Sequence, residues 1–101
     1  MIMERERKAL SEYGRRLSAA GLTPGTSGNL SVYDPETGRM AVSPSGRPCG
    51  EFSPESAAVL DETGRVLEGW KPTSEWSLHQ AFYRRHPEAR AVVHTHSMYC
   101  T

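Results

Sequence analysis

Apolar side chains recur at helical spacing in two parts of the chain. In residues 4–20 the apolar positions on one face are Leu10, Tyr13, Leu17 and Ala20. In the second part, which follows Thr73-Ser74-Glu75 and ends near residue 86, they are Trp76, His79, Phe82 and Tyr83. Because steps of three and four residues return to the same side of a helix, each set predicts an amphipathic helix with one buried face.

Short apolar runs separated by turn residues lie between and after the two helical patterns. Residues 30–33 and 39–42 flank one turn signal, and residues 57–60 and 65–68 flank another. Such pairs, joined through Asp and Gly, are typical of antiparallel hairpins. Residues 91–93 begin a further strand. The order of elements predicts an α+β fold, with α/β/α layers around a mostly antiparallel central sheet.

Composition restricts the class of partner. Twelve basic side chains balance twelve acidic ones in 101 residues, which suffice for one small domain. A chain without net charge has no overall field that attracts nucleic acid or an anionic membrane, so we expect neither as a partner. Five of residues 1–8 are charged, and no apolar run approaches the ~20 residues that span a bilayer, which predicts a cytoplasmic protein. Cys49 and Cys100 are then expected to be free thiols.

A His-x-His motif at the end of the last apolar run is the strongest candidate for metal chemistry. Alternation along a strand would place His94 and His96 on one face, and imidazole is a common zinc ligand. Hydrogen bonding at a strand end is the alternative for the same pair. His79 is predicted to be a core histidine with satisfied hydrogen bonds, and His86 a helix-end residue.

Small and hydroxyl residues form candidate anion sites. Residues 23–29 and 43–46 are rich in Gly, Ser and Thr, whose backbone N–H and hydroxyl groups can surround a phosphate, although ordinary turns have the same composition. Glu75 follows two hydroxyl residues at a predicted helix start. The carboxylate there is either a partner of the helix dipole or a general acid/base, and the residues alone leave both interpretations open.

Taken in order, these motifs resemble the class II aldolase and adducin family over nearly the whole chain. The family pattern is a helix, a Gly-Thr-x-Gly-Asn loop, a Ser/Thr-Gly loop, a hydroxyl pair with a glutamate, and a strand ending in His-x-His. The matching segments here are residues 25–29, Ser45-Gly46, Thr73-Ser74-Glu75 and residues 92–96. The resemblance implies the layered α+β fold of that family. Residues 1–101 are expected to form the N-terminal part of a single such domain, in truncated form.

The resemblance also implies a role for each motif. The residues that would hold a substrate phosphate are Thr26, Asn29, Ser45, Gly46, Thr73 and Ser74. Zinc, or another divalent metal in its place, would be bound by His94 and His96, and also by Glu75 in the resting state. Glu75 is the expected catalytic residue, because its counterpart in the family transfers the proton.

The implied activity is that of a zinc-dependent aldolase, a lyase that cleaves a phosphorylated ketose such as L-fuculose 1-phosphate through a metal-stabilised enediolate. Epimerases, dehydratases and decarboxylases of the family use the same kind of anion, and each is an alternative. A non-catalytic adducin-like binding module is a further alternative. Retention of His94, His96 and Glu75 argues against that module.

The family places a third histidine ligand and other catalytic groups beyond the His-x-His strand, whereas this sequence ends at Thr101. Cys100 is a weaker candidate for a replacement ligand. The 101-residue chain alone is therefore expected to be inactive. Because the family is typically homotetrameric with active sites between subunits, a homotetramer is expected for the complete protein.

Overall fold

The computed structural model describes residues 1–21 and 28–94. The elements in these two ranges are, in chain order, α1 (Glu4–Ala19), β1 (Asn29–Asp34), β2 (Arg39–Val42), a 3₁₀ turn (Cys49–Glu51), β3 (Ala58–Leu60), β4 (Val66–Glu68), α2 (Trp76–Arg85) and β5 (Ala91–His94). Within the same ranges, no helix is both long and apolar enough to cross a membrane.

The strands pair in one sheet with the order β4-β3-β2-β1-β5, and every neighbouring pair is antiparallel. Both predicted hairpins are confirmed, because β1 pairs with β2 and β3 pairs with β4. Strand β1 has partners on both sides, so that Ser31 lies opposite Val42 of β2 and opposite Val92 of β5. The predicted α+β fold with an antiparallel sheet is confirmed.

The two helices cover opposite faces of this sheet. Leu30 and Val32 of β1 pack in one core with Leu10 of α1. On the other face, Met40 of β2 packs in a second core with Tyr83 of α2. Because successive strand residues point to opposite faces, this arrangement gives the α/β/α layers that the sequence predicts.

Helix α1 buries only part of the face that its apolar pattern predicts, since Leu10 is fully buried and Leu17 packs against the core. Tyr13 is 39% exposed and Ala20 is exposed, so their predicted burial is wrong. The buried residues of α1 are Arg7, Leu10, Ser11 and Gly14. The cause lies at Gly14, where a Cβ atom would come within 2.5 Å of the carbonyl oxygen of Cys49. The missing side chain lets α1 approach the 3₁₀ turn closely, and this approach sets which face of the helix is inside.

Helix α2 likewise buries a narrower face than predicted. His79 and Tyr83 are buried and Trp76 is partly buried, whereas Phe82 is 42% exposed. The predicted burial of Phe82 is wrong. Residues 79 and 83 are about one turn apart and face the sheet, whereas position 82 is rotated by about 100° from position 83.

Arg7 is a buried charge that connects α1 to the far edge of the sheet. Its side chain is 2% exposed, and its guanidinium forms an ion pair with Glu68 of β4. The same group donates to the carbonyl oxygens of Pro54 at 2.8 Å and of Ala57 at 3.3 Å, and it also donates to that of Ile2 at 3.2 Å. A buried arginine is tolerated when its donors are paired in this way.

We predict that Arg7→Met lowers the free energy of unfolding by roughly 3 kcal/mol, because it leaves the partly buried carbonyl of Pro54 and the buried carbonyl of Ala57 without their donor. Arg5→Met is the matched control, since the side chain of Arg5 is 91% exposed and pairs only with its neighbour Glu6 in the described residues. The control should change stability by less than about 0.5 kcal/mol. Urea denaturation measures both, and equal effects would contradict the structural role of Arg7.

Candidate active site

Two of the loops predicted to bind phosphate run side by side at one end of the sheet. Residues 43–46 follow β2 and residues 71–74 precede α2. Two backbone hydrogen bonds of 2.8 Å join them, from the N–H of Ser45 to the carbonyl of Lys71 and from the N–H of Thr73 to the carbonyl of Ser43. The predicted phosphate ligands on the loops are Ser45, Gly46 and Ser74, which are exposed, and Thr73, which is partly buried.

Ser43 ties the first of these loops to the beginning of β1. Its hydroxyl accepts a hydrogen bond from the N–H of Leu30 at 2.7 Å and donates to the carbonyl of Leu30 at 2.9 Å. The backbone N–H of Ser43 donates to the same carbonyl at 2.9 Å. Ser43 is buried, so these bonds hold the loop beside Asn29, the first residue of β1.

Glu75 occupies the N-cap position of α2, but its carboxylate is directed at the sheet. Oε2 of Glu75 is hydrogen-bonded to Nδ1 of His94, and it accepts from Nδ2 of Asn29 at 3.4 Å. Within the described residues the side chain makes no capping hydrogen bond to α2. The side chain of Glu75 therefore does not cap the helix. Its contact with His94 brings together the residue expected to transfer a proton and a residue expected to bind the metal.

The pairing of β1 with β5 creates this contact. Asn29 and His94 are directly opposite in the antiparallel register, and Glu75 reaches both from the start of α2. The side chains of Glu75 and His94 are 29% and 32% exposed, so the pair is partly open to solvent. A small ligand can therefore reach Glu75 and His94, although these two side chains are less exposed to water than side chains on the open surface.

The chemistry of the pair suits a divalent metal. An imidazole and a carboxylate are donors that zinc accepts in catalytic sites, and here they are in contact. In residues 1–21 and 28–94 no cluster of three His, Cys, Asp or Glu side chains could hold a metal ion. The predicted ligand His96, the predicted phosphate ligand Thr26 and Cys100 lie outside the described residues.

A buried chain of polar groups continues from Asn29 into the core. Oδ1 of Asn29 is hydrogen-bonded to Nε2 of His79. Nδ1 of His79 is 2.7 Å from the hydroxyl of Ser31, which is 2.7 Å from the hydroxyl of Tyr83. His79 is fully buried with both ring nitrogens paired, so the prediction of a satisfied core histidine is confirmed. His86 is the C-cap residue of α2, as predicted.

Burial keeps this chain uncharged. It lowers the pKa of His79 to about 4, with His94 acting in the same direction and Glu75 opposing it. Burial also raises the pKa of Tyr83 to about 12. The imidazole of His79 and the phenol of Tyr83 are both neutral near pH 7. The hydrogen-bonded side chains from Tyr83 to Asn29 are therefore all uncharged.

Ser31 and Tyr83 are polar partners of the site that the sequence motifs do not indicate. Ser31 is a hydroxyl residue between the apolar residues Leu30 and Val32, and a polar residue at an inner strand position is the signal that could have indicated it. His79 and Tyr83 are four residues apart on one helix face, which is the spacing that places two side chains over the same strand.

Comparison with known proteins supplies a family for this arrangement. Residues 8–101 match the sequence model described as Class II Aldolase and Adducin N-terminal domain. A 5-deoxy-D-ribulose 1-phosphate aldolase of Bacillus thuringiensis is 42% identical over 100 residues, which are 98% of this chain and 47% of that protein. A methylthioribulose-1-phosphate dehydratase of Methylococcus capsulatus is 47% identical over 88 residues, covering 87% of this chain and 43% of the relative.

A solved structure agrees with the sequence relatives. That of an L-fuculose 1-phosphate aldolase superposes with a TM-score of 0.89 at 38% identity, over 98% of this chain and 47% of the other. The chain thus spans about half the length of the curated relatives and of the solved structure that it matches.

We predict that the stability of the protein falls on acidification because of His79. Its pKa of about 4 in the folded chain, against about 6.5 when unfolded, means that the folded state binds fewer protons. This contribution is complete above about pH 6.5 and is lost as the pH falls towards 4, by roughly 2 kcal/mol between about pH 7 and pH 5. Urea denaturation at the two pH values measures the loss, and His79→Gln, which does not titrate, should reduce it.

Proposed function

Because the chain belongs to the class II aldolase and adducin family, we propose that it supplies the phosphate-binding half and the first metal ligands of a zinc-dependent sugar-phosphate aldolase. The observation that carries the proposal is the contact of Glu75 with His94 beside Asn29. A carboxylate next to an imidazole at the end of a strand, with small-residue loops alongside, matches the needs of metal-assisted cleavage of a phosphorylated ketose.

In this proposal residues 1–101 form the N-terminal part of one domain. The substrate phosphate is held by Thr26, Asn29, Ser45, Gly46, Thr73 and Ser74. His94 and His96 are metal ligands, and Glu75 is a further ligand while substrate is absent. The adjacency of the two loops to each other and to the start of β1 supports a common phosphate site.

Zinc, or another divalent ion, would supply a Lewis acid that polarises the carbonyl group of the substrate when bound. Glu75 moves the proton on the carbon next to that carbonyl, and its carboxylate is kept in place by Asn29 and His94. The loops hold the phosphate, which fixes the distance between the reacting carbon and Glu75. The ketose phosphate is therefore oriented by its phosphate and activated at its carbonyl end.

The dehydratase relative makes dehydration of a ketose phosphate the second candidate, since that protein is 47% identical to this chain. Epimerase and decarboxylase reactions of the same family begin with the same kind of anion. An adducin-like binding module needs no metal, so the contact between Glu75 and His94 favours an enzyme. A homotetramer is part of the proposal for the complete protein, and a cytoplasmic location stays a prediction from the sequence.

We predict that the substitution His94→Ala, made in the complete protein that the gene encodes, removes most of the bound zinc. Loss of one of a few protein ligands should weaken metal affinity by at least roughly 100-fold. Zinc per chain is measured by mass spectrometry after dialysis. His86→Ala is the matched control, because His86 ends α2 and is exposed. Equal zinc content in the two variants would contradict the assignment of His94.

We also predict that Glu75→Gln lowers kcat by roughly 10²- to 10⁴-fold, because glutamine keeps the size of the side chain but cannot accept the proton. The assay uses zinc and a panel of ketose 1-phosphates that includes L-fuculose 1-phosphate. Glu55→Gln, at an exposed position, is the control and should leave kcat unchanged.

The isolated 101-residue chain is assayed beside the gene product. Since the chain spans about half of its relatives, we propose that it has no measurable activity alone. Comparable turnover by the two proteins would show that residues 1–101 already contain every group the reaction needs.

A further inference from the structure

A series of hydrogen bonds connects Glu75 to Tyr83, and in every one of them the donor lies on the Tyr83 side and the acceptor on the Glu75 side. An ionised carboxylate only accepts, so Asn29 must present its amide N–H to Glu75, which leaves Oδ1 of Asn29 facing His79. Because Oδ1 also only accepts, the proton of the neutral imidazole must be on Nε2. The contacts of Asn29 and the donor and acceptor chemistry of its partners together determine this tautomer.

The remaining bonds of the chain follow from that tautomer. Nδ1 of His79 carries no proton and accepts from the hydroxyl of Ser31, at 2.7 Å. The oxygen of Ser31 then accepts from the hydroxyl of Tyr83, also at 2.7 Å. Every donor in the chain therefore points towards Glu75, and each group has the partner that its neighbour requires.

We propose that His79 is a positioning residue of the active site: as the Nε2–H tautomer it locks the Asn29 amide with its N–H₂ group turned to Glu75 and to the substrate. This inference rests on the proposed function for its catalytic meaning. With one N–H on Glu75, the second N–H of the same amide serves an oxygen of the substrate. His79 touches neither substrate nor reacting atoms, and it acts through Asn29.

Burial makes the lock effective. Ser31 and His79 are fully buried and Asn29 is 6% exposed, so water does not compete for these hydrogen bonds. Turning the amide over would set its oxygen against the Glu75 carboxylate and its N–H₂ group against a donor, and both contacts would be repulsive. Ser31 cannot shift, because β1 is paired with strands on both sides.

A purely structural role is a poor explanation of the same groups. Apolar side chains at positions 29, 31, 79 and 83 together would fill the space between β1 and α2 without needing any partner, and replacing a whole set of buried polar partners in this way is frequently neutral for stability. The chain instead runs without interruption from the core to the one carboxylate that the proposed reaction uses. The single direction of donation, from Tyr83 to Glu75, is what a positioning role requires.

Two amide variants separate the functions of the two ring nitrogens. In His79→Gln the side-chain nitrogen takes about the place of Nε2 and can still donate to Asn29. In His79→Asn the amide reaches only the place of Nδ1, so Ser31 keeps a partner and Asn29 loses its donor. Val59→Ala, in the buried strand β3, is the control for lost stability without lost positioning. All variants are made in the protein as its gene encodes it.

We expect kcat to fall by roughly 10- to 100-fold in His79→Asn and by less than about 5-fold in His79→Gln, with both variants folded at the assay temperature. Val59→Ala should keep the wild-type kcat. Equal losses in the two amide variants, in proportion to their loss of stability, would overturn the proposal.

The tautomer is measured without any substrate. The ¹⁵N chemical shifts of the His79 ring distinguish a protonated from an unprotonated nitrogen, and the proposal requires the proton on Nε2. A proton on Nδ1 would overturn it. A wild-type protein that is inactive on every ketose phosphate would refute the proposed function instead. In that case the positioning role is tested by NMR alone. The proposal requires the proton on Nε2 and a change in the Asn29 side-chain amide signals between the wild type and His79→Asn, and unchanged amide signals would overturn it.

Discussion

The central position of β1 is the constraint on which the rest of the structure depends. A strand that is paired on both edges cannot rotate or slip, so its side chains alternate strictly between the two faces of the sheet. Leu30 and Val32 face α1 and complete an apolar core. Asn29 and Ser31 face α2, where their partners are His79 and the groups around it. One six-residue strand thus supplies a core on one face and a polar chain on the other.

The candidate site is the place where this polar face reaches solvent. The pairing of β5 brings His94 opposite Asn29, while the loops after β2 and before α2 are held to each other by backbone hydrogen bonds. The groups that would meet a substrate are therefore carried by loop and strand ends, and their supports lie in the buried layer beneath. Glu75 connects the exposed groups to the buried layer: its backbone lies at the N-cap position of α2, and its carboxylate contacts Asn29 and His94.

Local patterns predicted those parts of the fold whose causes are local. Periodicity and turn residues located both helices and both hairpins within a few residues, because spacing and backbone preference act over short distances. Burial of individual residues on α1 was predicted less well, since Gly14 rather than the apolar side chains determines how the helix approaches the 3₁₀ turn. The sequence pattern of α1 suggests that Arg7 faces solvent, because its partners other than Ile2 are 47 to 61 residues away in sequence. The contact of Glu75 with His94 depends on strand register, so only the family resemblance, and no spacing rule, pointed to it before the structure.

The pairing of Arg7 also orders events during synthesis of the chain. Arg7 leaves the ribosome about 50 residues before its carbonyl partners on Pro54 and Ala57, and Glu68 follows later still. Until then the guanidinium on α1 lacks these partners, and its hydration opposes docking of the helix on a partial sheet. We therefore expect α1 to dock only after Pro54 and Ala57 have emerged, together with much of the sheet.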